Sequence, residues 1–126
     1  MASRTVLSIG QCRPDHAAIS HFLKSNFDVD LHTADLADEA IELMARQTFH
    51  LVLVNRKLDA DYSDGMDIIR RMKATAELCD LPVMLVSNFP DWQEKAVQLG
   101  AVPGFGKAEL GTSDTIDRVR AILAIP

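Results

Sequence analysis

Two short, unbroken apolar runs constrain this chain most: Leu51-Val52-Leu53-Val54 and Val83-Met84-Leu85-Val86. A strand exposed on one face alternates apolar with polar residues, whereas a strand buried on both faces is apolar throughout. These runs therefore belong to the middle of a sheet covered by helices on both sides. Pro82 opens the second run and Asn55 closes the first. Helical patterns alternate with the strands. Val6 to Ile9 is a first strand, followed by Pro14 to Asn26 with an apolar stripe of Ala18, Ile19, Phe22 and Leu23. Pro14 suits a first helical turn. Val29 to Ala34 alternates and reads as a strand nearer the edge, and Leu36 to Arg46 as a helix. After the Leu51 run, the polar loop KLDADYSDG leads into a helix from about Met66 to Ala76. Pro90 and Asp91 start a short helix that ends at Gly100, a good C-terminal stop. Val102 to Phe105 is a weak fifth strand, and Ser113 or Asp114 can cap a last helix.

Strand followed by helix, repeated along the whole chain, implies a parallel sheet with right-handed crossovers. The expected fold is a three-layer α/β/α sandwich with flavodoxin-like strand order 2-1-3-4-5. No linker or repeat interrupts it, so residues 1–126 read as one domain. With 48% apolar residues, 126 positions suffice for a core. A net charge of −5 argues against a binder of nucleic acid, which needs a basic face. No apolar run is long enough to cross a bilayer, and the short run before Gly10 is no signal-peptide core. Cys12 and Cys79 do not suggest a disulfide framework. The expectation is a cytoplasmic protein that contacts neither nucleic acid nor membrane.

In open α/β sheets, chemistry gathers at the carboxyl ends of the strands. Asn55 stands at such an end, where a carboxylate could accept a phosphoryl group or hold a metal and an amide does neither well. The order and spacing of HLVLVN, DGMDIIRRMK, LPVMLVSN, AVQLGA and FGK resemble those of a response-regulator receiver domain over essentially the whole chain. The resemblance places the phosphoacceptor position at Asn55 and the acidic pair of the family at Gly10 and Gln11. It places the family's Thr or Ser at Ser87, its Lys at Lys107 and its switch aromatic at Gly104. The Lys-Pro pair of the family becomes Lys107-Ala108. Receivers hold Mg²⁺ with the acidic pair and the acceptor, and the ion offsets charge during in-line transfer. Here every acidic ligand of that set is replaced, so the resemblance is to the atypical, pseudo-receiver branch, and Mg²⁺ binding is not expected.

Asn55 can hydrogen-bond Lys107 or Ser87 through its amide oxygen and so tie the loops together; alternatively it only caps the strand end. The loop from Asn55 to Gly65 is longer than the usual receiver loop, and the stretch from Ser87 to Gly100 is shorter, so the rim should differ. A cis bond before Ala108 would cost about 2.5–4 kcal/mol, so a trans bond is expected. Ser87 either binds a ligand or satisfies local backbone. Asp59, Asp61 and Asp64 either replace the missing acceptor or form turns and a solvated rim. Asp15 either leans into the pocket or complements the helix N-terminus. Cys12 lies between a strand and a helix start beside Arg13, a setting that can activate a thiol, but the Arg that small α/β phosphatases require six positions on is Ala18. The histidines at 16, 21, 32 and 50 show no metal-ligand spacing and read as surface or edge residues.

The sequence thus points to a stand-alone, non-enzymatic receiver-like domain that acts in two-component signalling by protein contact, with a kinase or output protein as partner or as a homodimer. Trp92, Arg118 and Arg120 are candidate interface residues, with ordinary packing or solvation as the alternative. Two other readings stay open: a phosphocarrier or phosphatase-like protein using Cys12 or a loop Asp, and a small-anion sensor at Lys107 with Arg56 and Lys57 nearby.

Overall fold

A computed structural model describes residues 4–123. Five parallel strands, β1 (Arg4–Ile9), β2 (Val29–Ala34), β3 (Leu51–Asn55), β4 (Val83–Val86) and β5 (Val102–Phe105), lie in the order β2-β1-β3-β4-β5. Five helices alternate with them: α1 (Arg13–Asn26), α2 (Ala37–Arg46), α3 (Gly65–Lys73), α4 (Pro90–Gln98) and α5 (Ser113–Leu123). A single 3-10 turn, Lys107–Glu109, joins β5 to α5. This is the flavodoxin-like sandwich that the alternation implied.

Successive strand residues face opposite sides, and the two sides build separate cores. Leu7, Ile9, Val52, Val54, Val83 and Leu85 pack against α2, α3 and α4 through Ala40, Met44, Met66, Ile69, Met72 and Ala96. Val6, Leu51, Leu53, Met84, Val86 and Phe105 pack against α1 and α5 through Ile19, Phe22, Leu23, Val119 and Leu123. All four residues of β4 and the first four of β3 are buried, which is why they carry no polar alternation. β2 lies at the sheet edge, where half-exposed positions tolerate Asp30 and His32.

Local chemistry sets the helix ends. Asp64 caps α3 by accepting from Met66 N at 2.9 Å. Pro90 and Pro14 occupy first turns, where the missing N–H costs nothing. The cap of α5 is Thr112 rather than Ser113 or Asp114: its Oγ1 accepts from Thr115 N at 3.3 Å and its carbonyl from Ile116 N at 3.0 Å. The two candidates lie inside the helix because Thr112 already satisfies the first free N–H groups. Helix α3 stops at Lys73, before Ala76, as Ala74 and Thr75 turn the chain toward Leu78. Among the described residues no helix is long and apolar enough to cross a membrane.

Candidate functional site

The carboxyl ends of β1, β3, β4 and β5 bring Gly10, Asn55, Ser87 and Lys107 to one end of the sheet. The strand order reverses between β1 and β3, which run parallel, and such a switch point is where ligands of this architecture bind. Here the crevice is filled. The loop after β3 folds back on itself: Leu58 N donates to Ser63 O, Tyr62 N to Leu58 O, and Lys57 bridges Asp64. Tyr62 takes a positive φ of 60° at the loop tip, with its ring exposed. This longer loop drives the Leu58 side chain, fully buried, onto Gly10. Gly10 has φ +77°, and a Cβ there would lie 2.3 Å from Leu58 Cδ2. Gly10, where the resemblance put the first of an acidic pair, therefore has neither the backbone conformation nor the room for a side chain.

Asn55 closes the same crevice from the strand side. Its Nδ2 donates to Gly10 O at 3.1 Å and to Lys57 O at 2.8 Å, and Asp59 N donates to Gly10 O at 3.0 Å. The expected bond from its amide oxygen to Lys107 or Ser87 is not formed. The amide nitrogen is used instead, because the folded-back loop presents carbonyls to it. A carboxylate in that orientation would face two carbonyl oxygens.

Lys107 has found a different carboxylate. Its Nζ lies 2.5 Å from Asp15 Oδ2, and the same oxygen accepts from Cys12 Sγ at 3.0 Å. Desolvation works to raise the Asp15 pKa, but the hydrogen bonds from Lys107 and Cys12 and the Lys107 charge outweigh it and hold it below the ordinary carboxylate value. Asp15 does lean inward from α1, as its first-turn position allowed. Ser87 follows its local alternative: Phe89 N donates to its Oγ at 3.2 Å.

The β4–β5 end is tied by a residue the sequence did not single out. Gln93 Nε2 donates to Leu85 O at 2.9 Å and Ser87 O at 3.1 Å, and Gly104 N donates to its Oε1 at 3.1 Å. A Cβ at Gly104 would lie 2.2 Å from Leu85 O, so no aromatic fits there. The β4–β5 register shifts between Met84 and Val86 at this place. Arg118 donates to Gly104 O, which makes it part of the clamp rather than a free surface cation. Asn88 Oδ1 accepts from Ala108 N at 3.0 Å and holds the turn that carries Lys107. As expected, the bond before Ala108 is trans, and no described peptide bond is cis.

The loop acids follow their structural readings. Asp61 binds Ser63 through its side chain and backbone, which lowers its pKa. Asp64 caps α3 and lies 3.6 Å from Arg56. Among the described residues no cluster of His, Cys, Asp or Glu could hold a metal ion. Trp92 is half-buried against the core, with Arg56 3.7 Å above its ring and Lys95 at 4.6 Å, so it packs instead of standing out as an anchor. Arg56 and Lys107 are each engaged elsewhere and do not form a joint anion site. Arg120 pairs with Asp117 at 3.0 Å on the exposed face of α5. His50 accepts from Thr5 N at 2.9 Å and His32 lies 3.0 Å from Asp30, both edge roles, whereas His16 is half-buried with Nδ1 unpartnered. Only the last departs from expectation: on α1, His16 lines a cleft together with Ser8 and Gln11. Leu58 and Gln93 left no sequence signal beyond loop length and a polar residue on a helix, because their roles depend on long-range contacts.

No protein-family model and no curated protein matches the chain. Solved structures do. The signal receiver domain of a DNA-binding response regulator from Colwellia psychrerythraea 34H superposes with TM-score 0.80 at 21% identity, covering 97% of this chain and 99% of that one. A response regulator receiver protein from Pseudomonas putida gives 0.77 at 24% identity, covering 96% and 98%. The chemotaxis response regulator CheY4 of Vibrio cholerae gives 0.74 at 13%, covering 97% and 100%. At these identities the likeness concerns architecture, and the chain has the fold of response-regulator receiver domains from end to end.

Proposed function

We propose that this chain is a receiver-like signalling domain that has exchanged phosphoryl chemistry for a fixed structure and acts by binding another signalling protein, a kinase or an output protein. The observation that carries this reading is Leu58 seated on Gly10 where the family's acidic pair and metal would lie. The engagement of Asn55 with two carbonyls and of Lys107 with Asp15 supports it. A domain with no place for the metal and no acid at the end of β3 is left with its surface. The α4–β5–α5 side offers a groove of about 620 Å³ lined by Pro90, Val97, Pro103 and Arg118, with Phe89 66% exposed nearby. A homodimer through α4 and α5 is the second mode of contact this surface allows. The domain is not an enzyme on this reading, and its location is the cytoplasm, where kinases of this kind deliver their signals.

Beryllofluoride with Mg²⁺ tests the reading. The NMR amide spectrum should be unchanged, and shifts at residues 55, 87 and 107 would sink it. The phosphocarrier alternative makes the opposite prediction for acetyl phosphate: a stable mass gain that Cys12→Ser or Asp59→Ala abolishes. The geometry favours the first reading, since the Cys12 thiol donates to a carboxylate already held by Lys107.

A further inference from the structure

On the other side of Gly10, between the loops that follow β1 and β2, a cleft of about 330 Å³ is lined by Ser8, Gln11, Arg13, His16, Thr33 and Asp35, with Asp59 at the rim. Its size is at the low end for small-molecule sites. Its chemistry is unusual for empty surface. Ser8 is only 1% exposed and its Oγ has no partner. Both polar atoms of the Gln11 amide and the Nδ1 of His16 are also buried without partners. Buried polar atoms are nearly always paired, so a cluster of orphans beside an open cleft marks groups waiting for something other than the protein. Ser8 is the one polar residue in the fully buried stretch Val6–Ile9 of β1.

We propose that this cleft binds a small, uncharged planar molecule with adjacent donor and acceptor groups, a purine nucleoside, with adenosine the best match. The Gln11 amide offers one donor and one acceptor side by side, the pairing that an adenine N6/N7 edge satisfies in a bidentate way. Binding turns that side chain, whose amide is now buried, toward the cleft that Ser8 also lines. His16 supplies a ring on which a base can stack. Asp35 and Asp59 also line the cleft and can accept from sugar hydroxyls, and they outnumber the single cation Arg13, so a polyphosphate is disfavoured. The site lies at the carboxyl ends of β1 and β2, and its occupancy does not depend on whether the closed crevice takes phosphate.

Titration of the ¹⁵N-labelled full chain with adenosine, ATP and a mixture of free amino acids tests this. Adenosine should shift the amides of residues 8, 11, 16 and 33 in a saturable way, with ATP weaker. Gln11→Leu should abolish the response while leaving the rest of the spectrum and the Tm intact, since the amide it removes is unpaired. Gln11→Glu keeps the length and removes the donor, and should do the same if the first variant does not fold. No shift with adenosine means the cleft holds water only and overturns the proposal. A response to amino acids alone, or one that survives both variants, overturns it equally.

Discussion

Gly10 has a neighbour strand on each side, and the two junctions are built in opposite ways. Toward β3 the polar groups around Gly10 O are paired: Asn55 Nδ2 and Asp59 N converge on it, and Leu58 fills the space against Gly10. Toward β2 the polar groups of Ser8, Gln11 and His16 are unpaired, and space is left open. Both lie at the same end of one sheet and share a loop. The contrast teaches that position in a fold makes a place for a ligand, but the connecting loops decide whether it is filled. The long loop after β3 supplies Leu58 to one side and only the Asp59 side chain, at the rim, to the other.

The comparison can be broken most directly at the plug. Leu58→Ala removes a fully buried side chain and should lower the unfolding free energy by about 2–5 kcal/mol, read from urea titration. A loss comparable to that of a surface change would mean that the crevice is not packed shut. Gly10→Asp tests the same contact from the other side. It should cost about 1–2 kcal/mol for the left-handed backbone and about 1–3 kcal/mol for overpacking. Combined with Leu58→Ala it should cost less than the sum, because the first change empties the space the second needs. Asn55→Asp should cost about 1–3 kcal/mol, since it replaces a donor to two carbonyls by an acceptor. Intact mass after acetyl phosphate should not change in that variant, and a phosphorylated product would show that one residue separates this crevice from a working one.

Asp15 gives a smaller effect with a definite sign. Its folded pKa is depressed, so its contribution is present above the unfolded value of about 3.9 and is lost as pH falls through the folded one. Wild type should exceed Asp15→Asn in stability by about 1 kcal/mol or less at neutral pH, and the gap should close in acid; a gap that is flat with pH would remove the charge from the account. Arg120→Ala should change stability least, by about 0.5 kcal/mol or less, because its pair with Asp117 is exposed.

Strand order and the two-sided core were readable because buried parallel strands have a composition of their own, and β3 and β4 carry it without a break. Helix ends were readable to within a few residues; Thr112 was missed in favour of Ser113 or Asp114 because each can cap and only the backbone conformation chooses between them. At the site, the resemblance alone put Gly10, Gln11 and Asn55 where the family carries acids. What the amide of Asn55 touches did need one. Its expected partners, Ser87 and Lys107, lie beyond the ends of β4 and β5 and have partners of their own.

From the sequence alone came the order of elements and the faces of the helices, since these depend on residue type and local periodicity. Tertiary structure decided that Leu58 fills the crevice, that Lys107 pairs with Asp15, that Gln93 and Arg118 tie down Gly104, and that Ser8, Gln11 and His16 are left unpaired. Those outcomes depend on where loops distant in sequence come to rest, and no local pattern encodes that.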